Sequence, residues 1–104
     1  MAYKVILSPE ASEDIQNIYD YIAYEKQSII NAETQLSRLQ KEIIQLDTMP
    51  NAFRLYPKEP WHSRGLRYFP VDNYLVFYIV DEESKKVHVL KVVGGQMDLT
   101  QIWK

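Results

Sequence analysis

At 104 residues the chain is long enough to bury a single hydrophobic core, and 46% hydrophobic and 25% charged content suits a globular domain. It holds no cysteine, which excludes disulfides, thiolate catalysis and cysteine-ligated metals. Its two histidines, His62 and His88, are not at metal-ligand spacing, so no metal and no cofactor is expected.

The net charge of −2 hides an uneven distribution. Residues 1–50 carry four basic and eight acidic groups, whereas residues 51–68 set Arg54, Lys58, Arg64 and Arg67 against Glu59 alone. A local cationic patch on an acidic chain points to one anionic contact site, or to a solvated basic loop, and not to a general nucleic-acid coat. The opening has only the short apolar run Val5-Ile6-Leu7, less than a signal peptide needs, and nothing approaches ~18 consecutive apolar residues. A cytoplasmic location is the expectation.

In chain order, Lys4 to Leu7 read as a strand. Ser8-Pro9 then starts a helix: serine caps the first turn, and proline fits where its missing N–H is not needed. Glu10, Glu13 and Asp14 favour the positive end of the helix dipole, and Ala11, Ile15, Ile18 and Ile22 form one apolar stripe ending near Tyr24. After the polar break Glu25-Lys26-Gln27, a longer helix carries Ala32, Leu36, Leu39, Ile43 and Leu46 before Pro50 ends it. The spacing thus predicts helices over 9–24 and 28–49, packed as an antiparallel hairpin because their connection is so short.

Residues 51–65 show no clear period and hold most of the cationic patch with Phe53, Tyr56 and Trp61. Strands follow at about 66–71, 74–81 and 86–93. Asp72-Asn73, both tolerant of positive φ, makes the first turn, and residues 82–85 make the second. Val76, Tyr78 and Val80 lie on one face of the middle strand and Leu75, Phe77 and Ile79 on the other, which places it in the sheet centre. The predicted fold is α+β, β-α-α-β-β-β, with the N-terminal helix hairpin packed on a small antiparallel sheet as one domain over residues 1–104. Phe69, Phe77 and Tyr78 are assigned to core packing, and Tyr68 and Tyr74 are left as candidates for contact.

The opening YKVILSPEASEDIQNIYDYIAYE, then MPNAFR, GLRYFPVDNYLVFYIVDEESKKVHVLKVV and GGQMD resemble the RelE/ParE superfamily of type II toxins, in the right order over nearly the whole chain. The most specific pieces are the strand–SPEA–helix entry and the GLR-x-F-PV-x-N-Y-x-x-F-Y hairpin. The resemblance implies a growth-inhibiting toxin, associated with plasmid stabilisation and neutralised by a cognate antitoxin. It also implies one of two actions: ribosome-dependent cleavage of mRNA (RelE-like), or poisoning of DNA gyrase by protein contact (ParE-like).

Metal-independent RNA cleavage through the 2′-hydroxyl needs a base, a cation for the developing charge and an acid for the leaving oxygen. RelE-like chains place cations on the strand before the hairpin, just after the hairpin tyrosine and after the last strand. Here the first is Arg67, but Leu75 follows Tyr74, and the exit reads Gly94-Gly95-Gln96-Met97. A rival catalytic set is His62 as base with Arg64 and Arg67 holding phosphate, supported by Arg54 or Lys58. The second helix and the hairpin look nearer the ParE side, where Arg54, Lys58, Trp61, Tyr68 and Tyr74 are the candidate binding residues. The last-strand exit departs from the His-Gly-Arg-Arg-Asp common in ParE-like chains, which keeps a third reading open: a toxin fold that retains its antitoxin but has lost potency. Unpaired sheet edges and an apolar groove beside the helix hairpin are the expected seat for an extended or amphipathic antitoxin segment.

Overall fold

The computed structural model describes residues 2–94. Strand β1 spans Lys4–Leu7, and helix α1 spans Pro9–Asp20. The Ser8 hydroxyl accepts from the Ala11 amide at 3.0 Å and donates to the Leu90 carbonyl at 3.0 Å. One side chain therefore caps the helix and fixes its start to the sheet.

The first helix does not run to Tyr24 in α geometry. It widens into a π turn over Tyr21–Glu25, and Gln27 at φ 54° reverses the chain. Ser28 then caps helix α2, Ile29–Ile44, by accepting from the Asn31 amide at 3.2 Å. A 3₁₀ turn, Gln45–Asp47, finishes the expected second helix ahead of Pro50.

Strands β2 (Arg67–Val71), β3 (Tyr74–Asp81) and β4 (Lys86–Gly94) form an antiparallel meander. The sheet order is β1-β4-β3-β2, with β3 interior as expected. The α+β layering and element order are those read from sequence, but the sheet is mixed and not wholly antiparallel. β1 runs parallel to β4, with Lys4 opposite Lys86 and Leu7 opposite Val89. Short turns dictate the antiparallel pairs, whereas β1 is joined to the sheet only through the long helical crossover, which permits parallel pairing.

The two faces of β3 sort as predicted. Val76 and Tyr78 pack under the helices with Ile15, Leu39, Ile43 and Leu46. Phe77, on the far face, packs with Tyr56, Leu66 and Val93. Between Phe77 and Tyr78 the β3–β4 register shifts, so that Phe77 faces Lys91 but Tyr78 faces Val89. That bulge lets both Val89 and Val92 reach the helix-side core while Leu90 and Val93 face the other cluster. Phe69, Phe77 and Tyr78 are all buried, as core packing required.

Two polar clamps hold the layers together. Arg38 of α2 donates two bonds, each 2.7 Å, to Asp72 at the β2–β3 turn, where Asp72 takes φ 54°. These bonds hold the Asp72 carboxyl below its ordinary range. On the other side Lys91 Nζ lies 3.1 Å from Glu10 and 3.4 Å from Asp14, and Asp14 also accepts from the Val92 amide at 3.0 Å. Among the described residues no helix is long and apolar enough to cross a membrane.

Candidate functional site

The segment without sequence periodicity is a folded flap. Its two arms pair across the chain: the Tyr56 amide donates to the Leu66 carbonyl at 2.7 Å, and the Tyr68 amide to the Arg54 carbonyl at 3.2 Å. A helical turn closes the tip, with the His62 amide donating to Lys58 at 2.9 Å and the Arg64 amide to Pro60 at 3.2 Å. Gly65, at φ 82°, returns the chain toward β2 through a conformation that L side chains rarely adopt. Tyr56 and Leu66 are buried, so the flap is anchored on the sheet face away from the helices.

This flap sorts the candidate residues. Arg54 sits over the Tyr68 ring at 5.7 Å, and Arg64 over the Trp61 ring at 5.2 Å. Tyr68 stacks on Phe77 at 5.7 Å and meets the edge of Tyr56 at 5.8 Å. Arg54, Trp61, Arg64 and Tyr68 therefore share the flap side of the sheet as two cation–aromatic pairs. Lys58 and His62 are exposed on the same turn. Glu59 accepts from the Ser63 amide and hydroxyl there, and these bonds hold its carboxyl below the usual range.

Arg67 does not join them. Its strand neighbours Phe69 and Val71 face the helices, and its Nη1 donates to the Phe53 carbonyl at 2.6 Å. Phe53 in turn stacks on Phe69 at 4.3 Å. Tyr74 also belongs to the helix side, half-buried, and burial first and then neighbouring Tyr21 and Asp72 push its phenol up. Leu75 packs in the flap-side cluster. The exit residues Gly95, Gln96 and Met97 lie outside the described residues.

A second feature carries more apolar surface. A groove of about 880 Å³ opens between β1, α1 and α2, with Val5, Leu7, Ile15, Leu36 and Ile43 in its walls and Ile44 at its margin. Ile44 is 62% exposed and Leu7 40% exposed. Gln16, Tyr19, Glu33 and Gln40 give it a polar border. Sequence reasoning foresaw a groove beside the hairpin but not its residues. The available signal was Ile44, which falls beside the α2 stripe and widens it beyond what the core uses.

A family model described as ParE toxin of type II toxin-antitoxin system, parDE, matches residues 5–99. No curated protein matches in sequence. In three dimensions the chain is similar to the chromosomal ParDE toxin–antitoxin system from P. aeruginosa, at 18% identity and a TM-score of 0.70 over 89% of this chain and 96% of that one. It is similar to the toxin–antitoxin complex RelBE2 from Mycobacterium tuberculosis at 18% identity and a TM-score of 0.66, covering 90% and 99%. It is also similar to a mutant of E. coli toxin RelE in the free state, at 16% identity and a TM-score of 0.67, covering 98% and 93%. Those likenesses speak for the fold of the RelE/ParE toxins, and the family model, spanning nearly the whole chain, speaks for descent. The chain belongs to the ParE toxin family of type II toxin–antitoxin systems.

Proposed function

We propose that this toxin inhibits growth by protein contact, with DNA gyrase as its target, and that a cognate antitoxin neutralises it by seating a segment in the groove between β1, α1 and α2. The observation that carries the first part is the bond from Arg67 to the Phe53 carbonyl, on the sheet face opposite Arg64 and Trp61. A phosphate at His62 and Arg64 would lack the third member of the nuclease set, and RNA cleavage needs its cations to converge on one phosphorane. The net charge of −2 also disfavours a protein that must sit within ribosomal RNA, where neutralising phosphates dominates affinity.

The groove supports the second part. A three-walled apolar cleft lined by the exposed Leu7 and Ile44 suits a partner segment. In the structural relatives from P. aeruginosa and M. tuberculosis the toxin fold belongs to a toxin–antitoxin system. Induced expression, followed by scoring DNA-damage response against mRNA cleavage at ribosomes, tests the mechanism. Gyrase inhibition with intact mRNA is expected, and cleaved mRNA without gyrase inhibition would overturn it.

One arrangement favours the RelE-like alternative. Arg54 and Arg64 are exposed cations that lie over the rings of Tyr68 and Trp61 on the flap, and cations grouped with aromatic rings are the chemistry that single-stranded nucleic acid contacts. The same expression experiment separates the two.

A further inference from the structure

The arginines of the chain divide into two that are spent and two that are open. Arg38 gives its guanidinium to Asp72, and Arg67 donates to the Phe53 carbonyl. Among the described residues, the side chains of Arg54 and Arg64 donate to no protein acceptor and pair with no carboxylate; each lies over a ring. Lys58 is a third exposed cation of the flap, also outside any ion pair among those residues. Glu59, the one carboxylate of residues 51–68, is turned to the Ser63 amide and hydroxyl. Of the other described lysines, Lys26, Lys85 and Lys91 are engaged within the chain, and Lys4, Lys41 and Lys86 stand on β1, α2 and β4. The flap is where open guanidiniums gather.

The surroundings of those guanidiniums choose the anion. Tyr68 is stacked on Phe77 and meets the edge of Tyr56, with Arg54 over its ring, and Arg64 lies over Trp61. An unpaired base would have to displace a guanidinium to stack there. A carboxylate takes the N–H fork of the guanidinium and needs no ring face. Composition points the same way, since arginine, tryptophan and tyrosine in one patch are what the centres of protein interfaces are rich in.

Resting on the reading that this toxin acts by protein contact, we propose that the flap is the surface that meets the target. It recognises a carboxylate-rich protein surface, with Arg54 and Arg64 as anchors and Lys58 beside them. Guanidiniums already resting on rings lose little freedom when a carboxylate arrives. Long-range attraction speeds the encounter and is screened by salt.

The test titrates the whole toxin with purified DNA gyrase, with an oligoglutamate and with a single-stranded oligouridylate of equal charge. Gyrase and the oligoglutamate are expected to bind, and Arg54→Ala and Arg64→Ala should each weaken gyrase binding by about tenfold. The double variant should lose the oligoglutamate, and added salt should weaken the parent more than the double variant. Lys41→Ala, which removes one exposed charge from α2, should change either affinity by less than about twofold. An equal loss in Lys41→Ala would make net charge the cause and overturn the proposal. Gyrase binding retained in the double variant would also overturn it, while leaving the protein-contact reading standing. Tighter binding of the oligouridylate than of the oligoglutamate, lost in the double variant, would assign the flap to nucleic acid and overturn the proposal. Binding of the oligoglutamate without gyrase would overturn gyrase as the target and uphold the flap's preference for carboxylates. Binding of neither would overturn both.

Discussion

Arg67 and Arg64, three residues apart, serve opposite faces of one sheet: Arg67 donates to the Phe53 carbonyl at 2.6 Å beside the helix-side core, while Arg64 covers the Trp61 ring on the flap side. Arg67→Ala should therefore cost about 1.5–3 kcal/mol of stability, the range for a hydrogen bond made by a charged group. Arg64→Ala should stay within about 0.5 kcal/mol, as surface changes do, yet weaken target binding by ~1–3 kcal/mol. Urea melts and a gyrase-binding titration check the pair. Equal stability losses in the two variants would contradict the placement of Arg67.

Tyr78 is fully buried and donates to the buried Pro50 carbonyl at 2.8 Å. Tyr78→Phe should cost about 1–3 kcal/mol at neutral pH, because it leaves that carbonyl unsatisfied. Burial pushes the phenol up to about 12, against ~10 when unfolded. Above pH ~10 the unfolded chain loses a proton that the folded chain keeps, so this contribution is whole below ~10 and fades as pH rises toward 12. The stability gap between parent and variant should narrow across that window. Parallel pH profiles would refute it.

Asp14 holds two donors, the Lys91 ammonium and the Val92 amide. Burial pulls Lys91 down, but its bonds to Glu10 and Asp14 outweigh that and leave it above the ordinary lysine range. Asp14→Ala should cost about 1–3 kcal/mol by leaving the Val92 amide without its acceptor next to the β4 bulge. Amide exchange at Val92 should accelerate in the variant, and unchanged exchange there would reject the assignment.

Gly65 tests the flap. A Cβ at this position would meet no atom within 4 Å, so only its φ of 82° penalises a side chain. Gly65→Ala should cost about 1–2 kcal/mol, the strain of a left-handed conformation. Asparagine, which visits that region more readily, should recover part of the loss. A steric origin would instead make the larger asparagine worse than alanine.

Much of this fold follows from local rules that the sequence carries by itself. Ser8-Pro9 started α1, two apolar stripes fixed which faces of α1 and α2 are buried, and strict alternation in β3 sorted Val76 and Tyr78 from Phe77. Helix caps and side-chain periods act over a few residues, which is why they can be read without the fold. The direction of β1 was not of this kind: its parallel pairing with β4 links residues some eighty positions apart, and no turn next to β1 records it. The site shows the same division. The sequence placed Arg54, Lys58, His62, Arg64 and Arg67 in one cationic stretch, but only the fold turned Arg67 to the helix side through the β2 pleat and kept Arg64 in the turn at the flap tip. A strand sends alternate residues to opposite faces and a tight turn redirects the chain before it, so charges close in sequence become separate in space, and β1, α1 and α2 wall the groove only once they have packed.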